Sequence, residues 1–323
     1  MDAEIRKIHV LYTNALNRLI TFANNTIRNI NTMRMNNNTK RYYIRYIIRW
    51  FNQQKEILNK KRESDIKAIQ NNFSQPTLTH GKKALLVGIN YVNTSSELRG
   101  CVNDVNDLKQ LLTAKYNYSR SNIVTLTDSQ ATKQNVLSQL TKLLKSGNSG
   151  DTLFFSFSGH GYFKRDSSND EEDGKDELLI SVDNLAIVDD ELKHIIDTHL
   201  KANVTLIALV DTCHSGTILD LPYKYYKGQP KLSHNSLSND TKGTVICVSG
   251  CRDDQVSMDA YLEGDFNGAM TFHFVELLNE SNSLTWKACI EQLQDKLKKD
   301  KFTQVPQMTC GKNIDLNNVY VKL

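Results

Sequence analysis

The chain has 323 residues, 39% of them hydrophobic and 24% charged, with a formal net charge of +4. That length supports one large domain or two smaller ones, each with a core. No apolar run is long enough for a membrane-spanning helix, which excludes that class of protein.

The start of the chain, Met1 to Lys7, lacks the continuous apolar stretch of a signal peptide, so a cytoplasmic location is expected. Six cysteines spread through such a chain argue against a disulfide framework. Cys247 and Cys251 have no second Cys/His pair nearby, which argues against a structural zinc site. The charge is unevenly distributed. Residues 1–80 hold 14 basic and 5 acidic side chains, a balance of +9, whereas residues 81–323 sum to −5. Two parts with different roles are expected, a basic helical arm with linker over 1–80 and a main domain over 81–323.

In chain order, residues 1–72 contain neither Gly nor Pro, and apolar residues recur at Ile5, Ile8, Leu11 and Tyr12, then Leu16, Leu19 and Ile20. This spacing predicts helix. A polar patch from Asn31 to Thr39 interrupts it, and Arg41, Arg45 and Arg49 then fall on one face among tyrosines, isoleucines and Trp50. Two or three helices are expected. A basic aromatic helix of this kind suits nucleic acid or an anionic membrane surface. The plainer expectation is a helical arm whose apolar side packs on the main domain while its arginines stay solvated.

From Lys82 onward, strand patterns at 84–89, 123–126, 153–157, 178–181, 204–210 and 245–248 alternate with helical patterns near 102–115, 132–145, 189–200, 268–279 and 285–298. Such alternation predicts a mainly parallel sheet flanked by helices. The irregular stretches 161–177 and 215–243 are long for this class, and long loops often carry function.

Two segments stand out at strand ends, Ser158-Gly159-His160-Gly161 and Asp211-Thr212-Cys213-His214-Ser215-Gly216. In open α/β sheets ligands bind beyond the carboxyl ends of strands. A thiol there is a candidate nucleophile and an imidazole its candidate base. The reaction class is acyl transfer, with an oxyanion held by backbone N–H groups where glycine permits close approach. His214 adjoins the thiol, but neighbours on an extended segment point apart, so His160 is the preferred base.

Together with Leu98-Arg99-Gly100-Cys101-Val102-Asn103-Asp104, Asp173-Gly174-Lys175-Asp176-Glu177, Asp189-Asp190-Glu191-Leu192, Leu219-Asp220-Leu221-Pro222-Tyr223 and Ser249-Gly250-Cys251-Arg252-Asp253-Asp254-Gln255, these motifs resemble, in order, those of metacaspases. Metacaspases belong to the caspase–hemoglobinase group of cysteine peptidases, and the chain is most similar to their compact type I branch. The resemblance implies a caspase-like three-layer α/β sandwich with a mainly parallel central sheet. It also implies a Cys213–His160 dyad, with the N–H groups of Gly161 and Cys213 as oxyanion hole. Asp104 and Asp211 would select Lys or Arg before the scissile bond, with Cys101 and Ser158 in the pocket wall. Ca²⁺ would be held by Asp173, Asp189, Asp190 and Asp220, and the enzyme would act as a monomer.

Residues read alone leave other roles open. Asp104 could cap the helix near 102–115, Asp189 and Asp190 the helix near 189–200, and Asp211 could simply order its loop. Asp170 to Glu177 hold six carboxylates in eight positions, but an EF-hand would need its final acidic residue at Ile180, so a composite site is expected. A Lys/Arg-cutting enzyme is also expected to process itself, at Lys224, Lys227 or Lys231 or at Lys55, Lys60, Lys61 or Arg62. The basic arm is expected to inhibit by occupying the acidic pocket. The alternative function is a catalytically silent caspase-like binding scaffold.

Overall fold

The computed structural model describes residues 2–73, 81–165, 175–213, 215–225, 233–234, 239–250, 259–262, 265–281 and 283–323. Two compact units emerge, Met1–Thr77 and Leu78–Leu323. In the first, uninterrupted helix formers give two long helices, α1 (Asp2–Thr32) and α2 (Asn37–Phe73). Asn36 starts α2 by accepting the Thr39 N–H at 2.8 Å, an N-cap bond. Buried Ile8, Ala23 and Ile30 and the Phe22–Trp50 ring pair, 5.4 Å between centroids, mark the contact face of the hairpin. No described helix is long and apolar enough to cross a membrane.

The second unit runs β1 (Lys82–Gly88), α3 (Cys101–Ala114), β2 (Ile123–Thr127), α4 (Lys133–Lys145), β3 (Thr152–Ser158), β4 (Gly161–Arg165), β5 (Lys175–Ile180), β6 (Ala186–Val188) and α5 (Asp189–His199). It continues with β7 (Thr205–Asp211), β8 (Tyr223–Lys224), β9 (Ser233–His234), β10 (Thr244–Ser249), β11 (Asp259–Leu262), β12 (Asp265–Gly268), α6 (Ala269–Glu280), α7 (Trp286–Lys299) and β13 (Gln307–Cys310). The central sheet has the order β2-β1-β3-β7-β10-β13-β8-β9. The first five strands are parallel and the rest antiparallel.

Strand alternation divides the interior into two cores. Ala84, Leu86, Phe154, Ile207, Leu209, Ile246 and Val248 face α3, α6 and α7. Leu85, Val87, Leu153, Phe155, Phe157, Leu206, Ala208 and Val210 face α4 and α5. Helices on both sides explain why these strands are apolar throughout rather than alternating. The result is a three-layer α/β sandwich with a mainly parallel central sheet.

One expectation is corrected. The apolar run 178–181 does not join the central sheet. It ends β5, which pairs antiparallel with β4 and β6 in a separate three-stranded sheet. Leu179 and Ile187 of that sheet pack into the α4/α5-side core, with Ile180 partly buried against it, so the run is apolar without joining the central sheet. The stretch 215–243 also holds two short strands, β8 and β9.

Candidate active site

The parallel register fixes where the candidate nucleophile and the candidate base emerge. Ser158 and Asp211 are direct partners at the ends of β3 and β7. His160 and Cys213 each lie two residues further on, and the Gly159 N–H extends the pairing to the Asp211 carbonyl at 3.4 Å. Strand order reverses between β1 and β3, since β2 lies on one side and β7 on the other. The loops after β1 and β3 therefore flank the crevice where such sheets bind ligands.

His160 is held from two directions. Its Nε2 lies 2.6 Å from the Ser96 carbonyl, in the loop after β1. A carbonyl only accepts, so Nε2 carries hydrogen and Nδ1 of the neutral ring keeps the lone pair. The His160 backbone N–H donates to the Tyr91 hydroxyl at 2.9 Å, and that hydroxyl donates to the Ile180 carbonyl at 2.5 Å. The Tyr91 ring also lies 4.6 Å from the imidazole, centre to centre. Burial pushes the Tyr91 phenol up, so it stays protonated and able to donate. Tyr91 sits at φ 50°, a left-handed conformation that costs a bulky residue about 1–3 kcal/mol. Its carbonyl accepts from the Thr94 N–H and hydroxyl, which helps hold the turn.

Gly161 meets the Cys213 segment directly. A Cβ on Gly161 would fall 2.1 Å from the Cys213 carbonyl oxygen, so no other residue fits. The Ile180 N–H donates to the His160 carbonyl, which makes Gly161 and Leu179 a non-hydrogen-bonded pair of the β4–β5 ladder. The Gly161 N–H is therefore directed out of that ladder. Cys213 is partly exposed and not in a disulfide.

Beside the strand ends lie two buried carboxylates. Even-numbered positions of β3 and odd-numbered positions of β7 face α3 and α6, which sends Ser158 and Asp211 to that side. Asp211 Oδ2 accepts from the Thr271 N–H at 2.8 Å and its hydroxyl at 3.0 Å. Asp211 thereby neutralises donors in the first turn of α6. Asp104, in the first turn of α3, does not cap its own helix. Its Oδ1 accepts the Gly268 N–H at 2.9 Å, across from α6. Among the described residues its Oδ2 has no hydrogen-bond donor. A Cβ on Gly268 would come within 2.5 Å of Asp211 and 2.6 Å of Asp104, so the two carboxylates converge on this glycine. Burial first, and the Asp211 charge second, hold the Asp104 carboxyl well above the usual range, against the Gly268 N–H and the Ser158 hydroxyl. Cys101 and Ser158 are both buried.

A second acidic group lies toward α5. Asp189 groups with Asp176 and Asp190, and separately with Glu177 and Asp220, each triad offering oxygens within 4.8 Å of one another. Asp176, Glu177 and Asp189 are at most 1% exposed. Lys164 pairs with Asp176 at 3.0 Å. The hydrogen bond to Asp176, helped by the charges of Asp189 and Asp190, raises the Lys164 ammonium against burial. Asp189 also accepts the Asp190 N–H of its own helix at 2.8 Å and the Glu177 N–H of β5. Thr217 donates to Glu177 at 2.6 Å, which ties the chain after Cys213 to β5.

Of the expected metal ligands, Asp189, Asp190 and Asp220 enter these triads, while Asp173 lies outside the described residues. His214, Cys251, Lys227 and Lys231 also lie outside them. Sequence reasoning missed Tyr91, Ser96, Gly268, Thr271, Asp176 and Glu177 as site residues. The last two stood in the acidic run already noted. The others act through backbone groups or across long separations.

Comparison with known proteins bears on the family and the fold. The metacaspase, peptidase C14 domain family matches residues 82–222. Metacaspase-1 of Eremothecium gossypii is 34% identical over 314 residues, covering 79% of this chain and 69% of its own. Metacaspase-1A of Aspergillus terreus is 33% identical over 304 residues, covering 77% and 75%. A crystal structure of a Geobacter sulfurreducens protein superposes with a TM-score of 0.57 at 24% identity, covering 75% of this chain and 97% of that one, a likeness of fold. On the strength of relatives matched over most of both chains, this protein belongs to the metacaspase family of cysteine peptidases.

Proposed function

We propose that the chain is a Ca²⁺-dependent endopeptidase cutting after Lys or Arg, with Cys213 as nucleophile and His160 as base. The observation that carries the substrate class is the Asp104–Asp211 pair. Two buried carboxylates converge there, and one oxygen of Asp104 lacks a donor among the described residues. A cationic side chain entering there supplies the missing charge and donors, whereas an acidic one meets repulsion.

In the proposed reaction the Cys213 thiol gives its proton to His160 Nδ1, and the thiolate attacks the carbonyl carbon. The Ser96 carbonyl keeps Nε2–H in place while the ring becomes imidazolium. The tetrahedral oxyanion takes hydrogen bonds from the outward-directed N–H of Gly161 and from that of Cys213. Collapse breaks the C–N bond as His160 returns the proton to the leaving amine. Water then hydrolyses the thioester with His160 as base.

The carboxylates near α5 suit a hard divalent cation, because two triads sharing Asp189 bring oxygens of five acidic residues close together. Asp173, Asp189, Asp190 and Asp220 would hold Ca²⁺, with Asp176 and Glu177 beside them. When bound, the ion supplies charge that orders the segments after His160 and Cys213. Self-processing is proposed in the chain following Cys213. Lys224 is paired in β8, and the arm's Lys55, Lys60, Lys61 and Arg62 lie within α2.

The test is hydrolysis of fluorogenic Arg-, Lys- and Asp-amide peptides across a Ca²⁺ titration. Turnover of the first two, abolished by chelator and lowered on the order of 10⁶-fold in Cys213→Ala, is expected. A folded, Ca²⁺-loaded chain inert to all three would sink the reading and leave a binding scaffold. Intact mass of wild type and Cys213→Ala after Ca²⁺ incubation decides self-processing, with identical masses rejecting it.

A further inference from the structure

We infer that the helical arm carries a binding face for single-stranded nucleic acid. Arg41, Arg45 and Arg49 follow one another along α2 at a rise of about 6 Å. With Asn38, Tyr42 and Tyr46 they line a groove of about 450 Å³. Tyr42 and Tyr46 are 69% and 60% exposed. No acidic residue occurs from Asn37 to Lys55, so nothing on this stretch neutralises the guanidinium groups. The opposite side of α2 is already used. Ile44, Ile47, Trp50 and Phe51 are half-buried there, and Trp50 meets Phe22 of α1.

The face thus offers spaced planar cations alternating with flat phenol rings. A phosphate chain satisfies the first and unstacked bases the second. An anionic membrane would satisfy only the cations, because insertion needs an aliphatic strip. The aliphatic side chains of this stretch are turned to α1, apart from Ile48 at the border.

The experiment is fluorescence anisotropy of a labelled oligouridylate 15-mer with the full chain over a salt series. Three phosphate contacts predict a log–log slope near −2, at about −0.7 per phosphate. Arg41→Gln/Arg45→Gln/Arg49→Gln should remove that slope, and Tyr42→Ala/Tyr46→Ala should weaken binding about tenfold or more while leaving the slope unchanged. Circular dichroism and Arg-amide hydrolysis confirm folding of both. Unchanged RNA affinity in the triple variant, equal binding of a duplex, or sedimentation with phosphatidylserine vesicles without RNA binding would each overturn the inference. So would a chain that ignores RNA and gains salt-insensitive activity in the triple variant, the signature of an arm held on its own acidic unit.

A separate observation assigns a positioning role to Tyr91, and it rests on His160 being the base. One hydroxyl bridges the His160 N–H and the Ile180 carbonyl, while the ring lies against the imidazole. Tyr91→Phe keeps the ring and removes the bridge. It should lower kcat about tenfold at unchanged KM and move the acidic limb of the pH–rate profile. An unchanged kcat and profile, with His160→Ala inactive, rejects the role of Tyr91 alone. An active His160→Ala rejects the underlying assignment instead.

Discussion

The two acidic sites flank opposite faces of one sheet, and they are built differently. Asp104 and Asp211 lie on the α3/α6 side, answered by the Gly268 N–H and the Thr271 N–H and hydroxyl. Asp176, Glu177, Asp189, Asp190 and Asp220 gather near α5, where the contacts among the described residues include two backbone N–H groups on Asp189, the Thr217 hydroxyl on Glu177 and Lys164 on Asp176. Neutral donors orient the carboxylate pair without balancing it, so Asp104 holds its proton above the usual range, an arrangement proposed to take a single substrate cation. Four carboxylates around a shared Asp189 suit a divalent ion. The number of carboxylates and the kind of donor, rather than burial, set the two sites apart.

The largest expected separation comes from removing one charge on the first face. Asp211→Asn should lower kcat/KM for Arg-amide on the order of 10²–10³-fold. The Ca²⁺ concentration for half-activation should stay fixed. If both change together, the sites are not independent. Asp189→Asn should do the reverse, raising the Ca²⁺ requirement on the order of 10–100-fold while KM at saturating Ca²⁺ is kept. A changed KM with an unchanged Ca²⁺ requirement would reverse the assignment of the two faces.

The smallest expected effect is thermodynamic. The Asp104 carboxyl is held above its usual range, so the folded state binds this proton more tightly than the unfolded one. Its contribution is fully present below the unfolded value of about 3.8 and is lost as pH rises through the folded value. Asp104→Asn should therefore be more stable than wild type at pH 8, by about 1 kcal/mol. The gap should close toward pH 4. Denaturant unfolding at both pH values measures it, and a pH-independent difference would contradict a buried, strained carboxyl.

Much of this architecture was legible in the sequence because burial on both faces leaves unbroken apolar strands at 84–89, 153–157 and 204–210. The separate sheet containing β5 was not, since Leu178 and Leu179 are as buried as central-strand residues and periodicity does not say which sheet a strand joins. The candidate pair, Cys213 and His160, was chosen from chemistry at strand ends. Its supports could not be. Ser96 acts through a carbonyl that any residue offers, and Thr271 and Gly268 reach Asp211 and Asp104 across 60 and 164 positions. Tyr91 follows Asn90 in a loop without motif value until its hydroxyl is seen between two backbone groups.

Gly268 has a consequence of its own. It caps α6 and stands against both carboxylates, where a single methyl group would collide with each. Alanine at this position would leave thiol and imidazole intact yet crowd the carboxylate pair proposed to select the substrate's charge. One small substitution could thus separate cutting from choosing, and selectivity could drift in descendants of this chain without any change to the reactive pair.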